Sequence, residues 1–321
     1  MTKSASAKKC RDAKNEGKIL TTATSLIYTL CVIYLSVSFS DKIAHSVKSG
    51  LSLCADVIIP SVFPFIILSD FLYSNLDFSK IKFINASFER IFKISKHGIY
   101  AFLLGILCGF PLGVKCARDL YVNGSITRNE AERLIGFSNN TGPAFLIAGI
   151  GLGLRRNARE GLLLYLIMIL SALLVGFLFS IGQRAVRSEN YLPRPKFALT
   201  LSIKNAGINT LNICAYLTFF ACICGMLRNI FGESIPYVCL LPFLEIGSSA
   251  SILSKTAILC RAKSFALTAF AVGFSGFSVH LQALSFLIDT DIRTHKYFIM
   301  KLLQGSIAFL ISYPLHKLII G

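Results

Sequence analysis

The sequence predicts an all-α, polytopic helical membrane protein, with about 6–8 spanning helices plus short broken or re-entrant helices. Three observations carry this. The 321 residues are 54% hydrophobic with a mean hydropathy of +0.65, and 15% are charged, whereas soluble domains carry about a quarter charged residues. Several apolar runs reach the roughly 20 residues a helix needs to cross the hydrocarbon core. Others are about half that length and stop at clusters of Gly, Pro and small polar residues. At membrane depth such breaks are tolerated only inside protein or along a cavity.

The net charge is +17. The Lys and Arg sit mostly in short segments between apolar runs, the pattern of cytoplasmic loops, so no nucleic-acid partner is read from it. The ten cysteines are scattered without a C-x-x-C. They read as small buried hydrophobes, with no metal site and no cofactor expected. The chain lacks H-E-x-x-H, G-x-S-x-G and Walker A patterns; no catalytic residues and no enzyme activity are expected.

Residues 1–19 hold six Lys or Arg against Asp12 and Glu16 and read as a basic tail, which puts the N-terminus in the cytoplasm. Residues 20–40 form a first span. No A-x-A follows it, which argues against a cleaved signal peptide. Residues 51–74 are long enough to span, but Pro60 and Pro64 each remove a backbone donor, so a kink or unwinding is expected there. Residues 75–98, with five basic residues against Asp77 and Glu89, read as a cytoplasmic loop. Next come a short apolar helix (99–112), an amphipathic stretch (114–135) and a second short run (143–154). Within the stretch Thr127–Glu130 has the form of a capping box, and Asp119–Leu134 reads as a surface connector. Leu162–Gly182 is a clear span. Residues 20–182 thus form a first membrane half and 183–204 a basic cytoplasmic linker.

Residues 205–321 form the second half. Asn209–Leu227 is a span. Residues 235–254 contain Pro242, Glu245 and Gly247-Ser248-Ser249. Residues 264–276 are another short run, and 297–320 form the last span. Ala101–Gly105 followed by Gly109-Phe110 echoes Ala269–Gly273 followed by Gly276-Phe277. Paired interrupted segments of this kind point to two internally repeated halves.

The breaks supply the candidate binding residues. Gly109, Pro111 and Gly113 end the first short helix, and Lys115 follows. Lys115 is either a charge partner for an anionic solute or a residue snorkelling to the interface. Ser138, Asn139, Asn140 and Thr141 precede Gly142-Pro143 and can cap a helix or bond a solute directly. Unpaired N–H groups at a helix N-terminus favour anions. Glu245 is a carboxylate in an apolar segment, a functional hypothesis by default. It can bind a coupled proton or cation, or pair with Lys115 or His280. Ser248 stands beside it, and His280 with Gln282 offers a second polar patch.

Taken together, Gly109–Lys115, Glu130-Ala131-Glu132-Arg133-Leu134, Phe137–Pro143, Pro60–Phe65 with Leu68-Ser69-Asp70, Leu244-Glu245 and Gly276–Gln282 resemble the sporulation integral membrane protein YlbJ family. That family is similar to membrane proteins with nucleoside recognition or Gate domains. Val114 and Ser275 depart from its pattern, where Ala and Gly are expected. The resemblance implies a protein of endospore-forming bacteria that moves a small anion, dipicolinate, across the mother-cell-derived outer forespore membrane. The partners expected are a small anionic or heteroaromatic solute and the lipid bilayer, with a homo-oligomer left open. The alternatives are a transporter of nucleoside-like solutes, or a non-transporting membrane scaffold needed for assembly of the spore cortex and envelope.

Overall fold

The computed structural model describes residues 40–75, 82–184 and 197–320. The expected basic tail and first span lie outside these, apart from Ser40, as does most of the linker. Among the described residues the fold is all-helical. In order these are α1 (Ser40–Leu53), a π-turn (Cys54–Ile58), α2 (Ile59–Asn75), α3 (Lys82–Phe92), α4 (Gly98–Leu107), α5 (Leu112–Val122), α6 (Arg128–Ser138), a π-helix (Ala144–Leu154) and α7 (Ala158–Leu178). There follow α8 (Leu199–Phe231), α9 (Ile235–Leu244), α10 (Ile246–Lys255), α11 (Arg261–Phe274), α12 (Gly276–Ser285) and α13 (His295–Ile319). Residues 47–321 form one compact unit.

Among the described residues four stretches are long and apolar enough to cross a membrane: Ala158–Leu178, Leu199–Phe231, Arg261–Ser285 and His295–Ile319. On α7 one face carries Leu162, Leu166, Leu170 and Leu174, all exposed. That four-residue spacing makes a continuous apolar stripe, which fits acyl chains rather than water. The other face buries Leu163, Leu164, Ile167, Met168 and Val175.

The elements repeat. A long helix (α2) is followed, after α3, by a broken helix (α4 then α5), a second broken helix (α6 then the π-helix) and an unbroken span (α7). The long α8 is followed by a broken helix (α9 then α10), a second one (α11 then α12) and an unbroken span (α13). This order pairs α4 with α9. The sequence echo instead matched α4 with α11, the first broken helix of one half with the second of the other. The echo came from apolar composition ending in Gly-Phe, which both kinds of break share.

One expectation is narrowed and one corrected by the packing. The helix around Pro60 and Pro64 does not unwind there. The chain widens into the π-turn Cys54–Ile58 just before Pro60 and then runs helically through Pro64 to Asn75. The wider turn frees the carbonyls that a proline cannot serve. The segment Asp119–Leu134 is not a surface connector. Its second part is the start of α6, where Glu130, Glu132 and Arg133 are buried. Arg133 donates to Phe92 O at 2.7 Å and Lys93 O at 2.6 Å, and Glu130 accepts from Ser95 N and Thr127 N, each at 2.8 Å. The capping box at Thr127 and Glu130 is present as expected.

Candidate functional site

The two breaks of the first half lie against each other, backbone to backbone. A Cβ at Gly105 would stand 1.7 Å from Ser138 O, and one at Gly113 2.1 Å from the same oxygen. Gly109 has φ +86, and a Cβ there would stand 2.7 Å from Gly142 N. Glycine is required at Gly109 twice over, by its left-handed backbone and by the approach of Gly142. The Phe110–Pro111 bond is cis. A narrow cleft of about 30 Å³ opens at this crossing, lined by Gly109, Phe110, Thr141 and Pro143 among others. The π-helix starts at its wall with no side-chain cap; Leu146 N donates to Gly142 O at 3.2 Å, and the N–H groups of Ala144 and Phe145 lie ahead of it at the terminus.

The breaks of the second half meet in the same way. Ser275 (φ 80) and Gly276 (φ 64) separate α11 from α12, and a Cβ at Gly276 would lie 3.1 Å from Leu244 O, beside the break at Glu245. The Arg261–Ser285 stretch is 78% buried within the protein, against 33–50% for the other three spanning candidates. Burial inside protein is the condition under which a broken helix is tolerated at membrane depth.

One span joins the breaks of both halves. On α13, Lys301 is fully buried, and its Nζ donates to Asn139 O at 2.8 Å and Gln304 Oε1 at 2.7 Å. Gln304 Nε2 donates to Asn140 Oδ1 at 2.9 Å, and Asn140 Nδ2 donates to Phe137 O at 2.7 Å. Asn139 Nδ2 donates to Tyr297 OH at 2.9 Å, and that hydroxyl is 2.9 Å from His280 Nδ1 on α12. If Tyr297 donates to Nδ1, the imidazole proton sits on Nε2. The His280 ring is enclosed edge-on by Phe274, Tyr297 and Phe298.

Several buried polar atoms around this network have no partner among the described residues: Ser138 Oγ, Asn139 Oδ1, Thr141 Oγ1, His280 Nε2 and Gln282 Oε1. Each unmet group costs about 1–3 kcal/mol, and of these residues Thr141 lines the cleft at the crossing. No ion pair of Lys301 occurs among the described residues. An unpaired cation in a low-dielectric interior costs several kcal/mol.

The sequence-selected residues divide in three. Gly109, Pro111, Gly113 and Ser138–Thr141 form the crossing, and His280 joins it through Tyr297. Gln282 is buried two residues beyond His280 on α12. Glu245 instead caps α10, accepting from Gly247 N at 2.7 Å and from Ser248 N. No contact joins it to Lys115 or His280 among the described residues. Lys115 is half-buried and makes no side-chain hydrogen bond or ion pair among the described residues. Lys301, Gln304 and Tyr297 were not foreseen. Their signal was a lysine and a glutamine three residues apart, on one face of an otherwise apolar span.

No protein-family model matches the chain, and no solved structure matches it. It is similar to the sporulation integral membrane protein YlbJ of Bacillus subtilis (strain 168), with 29% identity over 310 aligned residues that cover 81% of this chain and 74% of that protein. With that likeness along most of its length, and with helices long and apolar enough to span, the chain is an integral membrane protein similar to YlbJ.

Proposed function

We propose that the chain transports, or facilitates the passage of, a small anionic metabolite, without chemical conversion, through a site built by the broken helices of both halves. The observation that carries this is Lys301, fully buried and bonded only to neutral oxygens. An anionic solute would supply the missing counter-charge, with Ser138, Thr141 and His280 Nε2 as free hydrogen-bonding groups around it and the uncapped π-helix terminus beside them. Dipicolinate is the solute proposed, since a planar dicarboxylate bearing a ring fits one cation, clustered polar atoms and an aromatic wall. The likeness to a sporulation protein supports that choice. The membrane proposed is the outer forespore membrane, with the N-terminus in the cytoplasm.

One observation favours a second solute class. Asn139 Oδ1 and Gln282 Oε1 are buried acceptors without donors. A carboxylate offers none, whereas a nucleoside-like solute does. The test is uptake into liposomes holding the purified protein, comparing dipicolinate with nucleosides. Saturable dipicolinate flux above protein-free liposomes supports the reading. Flux of nucleosides alone selects the second. Background flux for both overturns transport and leaves the scaffold.

A further inference from the structure

The chain has a second cationic cavity, away from the breaks. Arg155 lies between the π-helix and α7, and Arg261 is the first residue of α11. Both bond one carboxylate, Glu160, which has no exposure. Arg261 Nε is 2.5 Å from Glu160 Oε1, and His316 Nε2 on α13 is 3.1 Å from the same oxygen. This cluster ties together the ends of three spans. Removing Glu160 would leave two guanidinium groups facing each other.

A structural staple explains Glu160 but not the cavity. A cavity of about 200 Å³ opens beside the cluster, lined by Arg155, Arg261, Ser254, Thr256 and Ser264, with Leu253 and Leu259 on its apolar wall. The carboxylate is not part of that lining. Its oxygens are turned to Arg155, Arg261 and His316; Arg155 also donates from Nη1 to Ser264 Oγ at 3.2 Å and from Nη2 to Arg261 O at 3.4 Å, with 3% of its side chain exposed, so the charge the cavity meets is chiefly that of Arg261. Arg261 keeps 56% of its side chain exposed. Helix α11 begins at the same wall with no side-chain cap, which adds free N–H groups and the positive end of the helix dipole. Exposed Arg156, Arg159, Lys255, Lys263 and Lys317 stand on the same segments, so the surrounding field is strongly positive.

We propose that this cavity binds a phosphate group, held by the exposed Arg261 guanidinium and the N-terminus of α11, with Arg155 holding Arg261 in place through their shared partner Glu160. A guanidinium matches the geometry of phosphate oxygens. Basic pockets between spanning helices bind anionic lipid headgroups, and the apolar wall with half-exposed Ile258 nearby favours a lipid over a free ion. This site is independent of the transport reading.

The test uses the full chain in detergent, following its melting midpoint against added phosphatidylglycerol, phosphatidylcholine or inorganic phosphate. Phosphatidylglycerol should raise the midpoint saturably and phosphatidylcholine should not, because its choline meets a positive field. Arg261→Gln should weaken the response by about tenfold or more, the loss of one charge-assisted contact. Lys263→Gln, on the same helix but off the cavity wall, should leave it within about twofold. If inorganic phosphate gives the same Arg261-dependent shift, the source is a soluble phosphate and the site stands. Equal shifts from both lipids, or an unchanged response in Arg261→Gln, would overturn it. Should that variant melt too early to read, native mass spectrometry of the parent decides: equal retention of the two lipids counts against the site.

Discussion

Lys301 Nζ donates to the backbone oxygen of Asn139 at 2.8 Å, so the unbroken span of one half holds the break of the other by a buried lysine. The contact has two possible uses, to fix the break or to leave a charge for a solute. Lys301→Met separates them. It removes the charge, keeps most of the volume, and leaves Asn139 O and Gln304 Oε1 without a donor. Losing an unpaired buried charge and losing two hydrogen bonds oppose each other, so stability should stay within about 2 kcal/mol of the parent. Anion flux in liposomes should fall by about tenfold or more. Flux at the parent level in a folded Lys301→Met protein would remove Lys301 from the site.

Gly105 and Gly207 differ in what a methyl group would meet. At Gly105 it would overlap Ser138 O; at Gly207, within α8, nothing lies within 4 Å. Gly105→Ala must push the two breaks apart and should cost about 3 kcal/mol or more. Gly207→Ala should stabilise by about 0.5–1 kcal/mol through helix propensity. Thermal melting in detergent reads both. Equal effects would mean the crossing yields more readily than its geometry implies.

The breaks were legible because Gly, Pro and Asn have few roles inside an apolar segment, and an interruption at membrane depth needs protein around it. The partners were not legible in the same way. Lys301 is the seventh residue of α13, close enough to its end to pass for a snorkelling side chain. Only the fold shows that its Nζ turns inward to Asn139. Glu245 carried the opposite signal. A carboxylate deep in an apolar run drew a functional reading, yet its oxygens are used by the N–H groups of Gly247 and Ser248. The burial of Glu130 and Arg133 was hidden because their partners come from residues 92–95, more than thirty positions away.

At the start of α6 the charges form a cluster with a defined pH response. Glu132 lies 3.1 Å from both Arg128 Nε and Lys296 Nζ, and Arg128 Nη1 lies 3.1 Å from Asp291. Burial works to raise the Glu132 carboxyl, but Lys296, the Arg293 N–H and Arg128 hold it below the usual 4.5. The Tyr121 hydroxyl, then Arg128, hold Asp291 low. A depressed carboxylate stabilises the fold above its unfolded value and loses that contribution as pH falls through the folded one. The melting midpoint should therefore drop as pH is lowered below about 4.5, and Glu132→Gln should flatten part of that drop. An identical acid profile in the variant would show that the cluster contributes nothing measurable.

Glu245 is the sharpest test of whether a buried carboxylate serves transport or only the fold. As the N-cap of α10 it satisfies two N–H groups that no other side chain reaches. Glu245→Ala removes both acceptors and should cost about 1–2 kcal/mol. Glu245→Gln keeps one amide oxygen in place and should recover part of that loss. It also removes the titrating group. A cap needs an acceptor oxygen, while a coupling site needs a proton that comes and goes. The expected outcome follows from the bonding: Glu245→Gln should transport with the parent's pH dependence, slightly less stable to heat. If its flux instead becomes independent of pH while the protein remains folded, the two N–H bonds are not the residue's main role, and Glu245 carries the coupling proton.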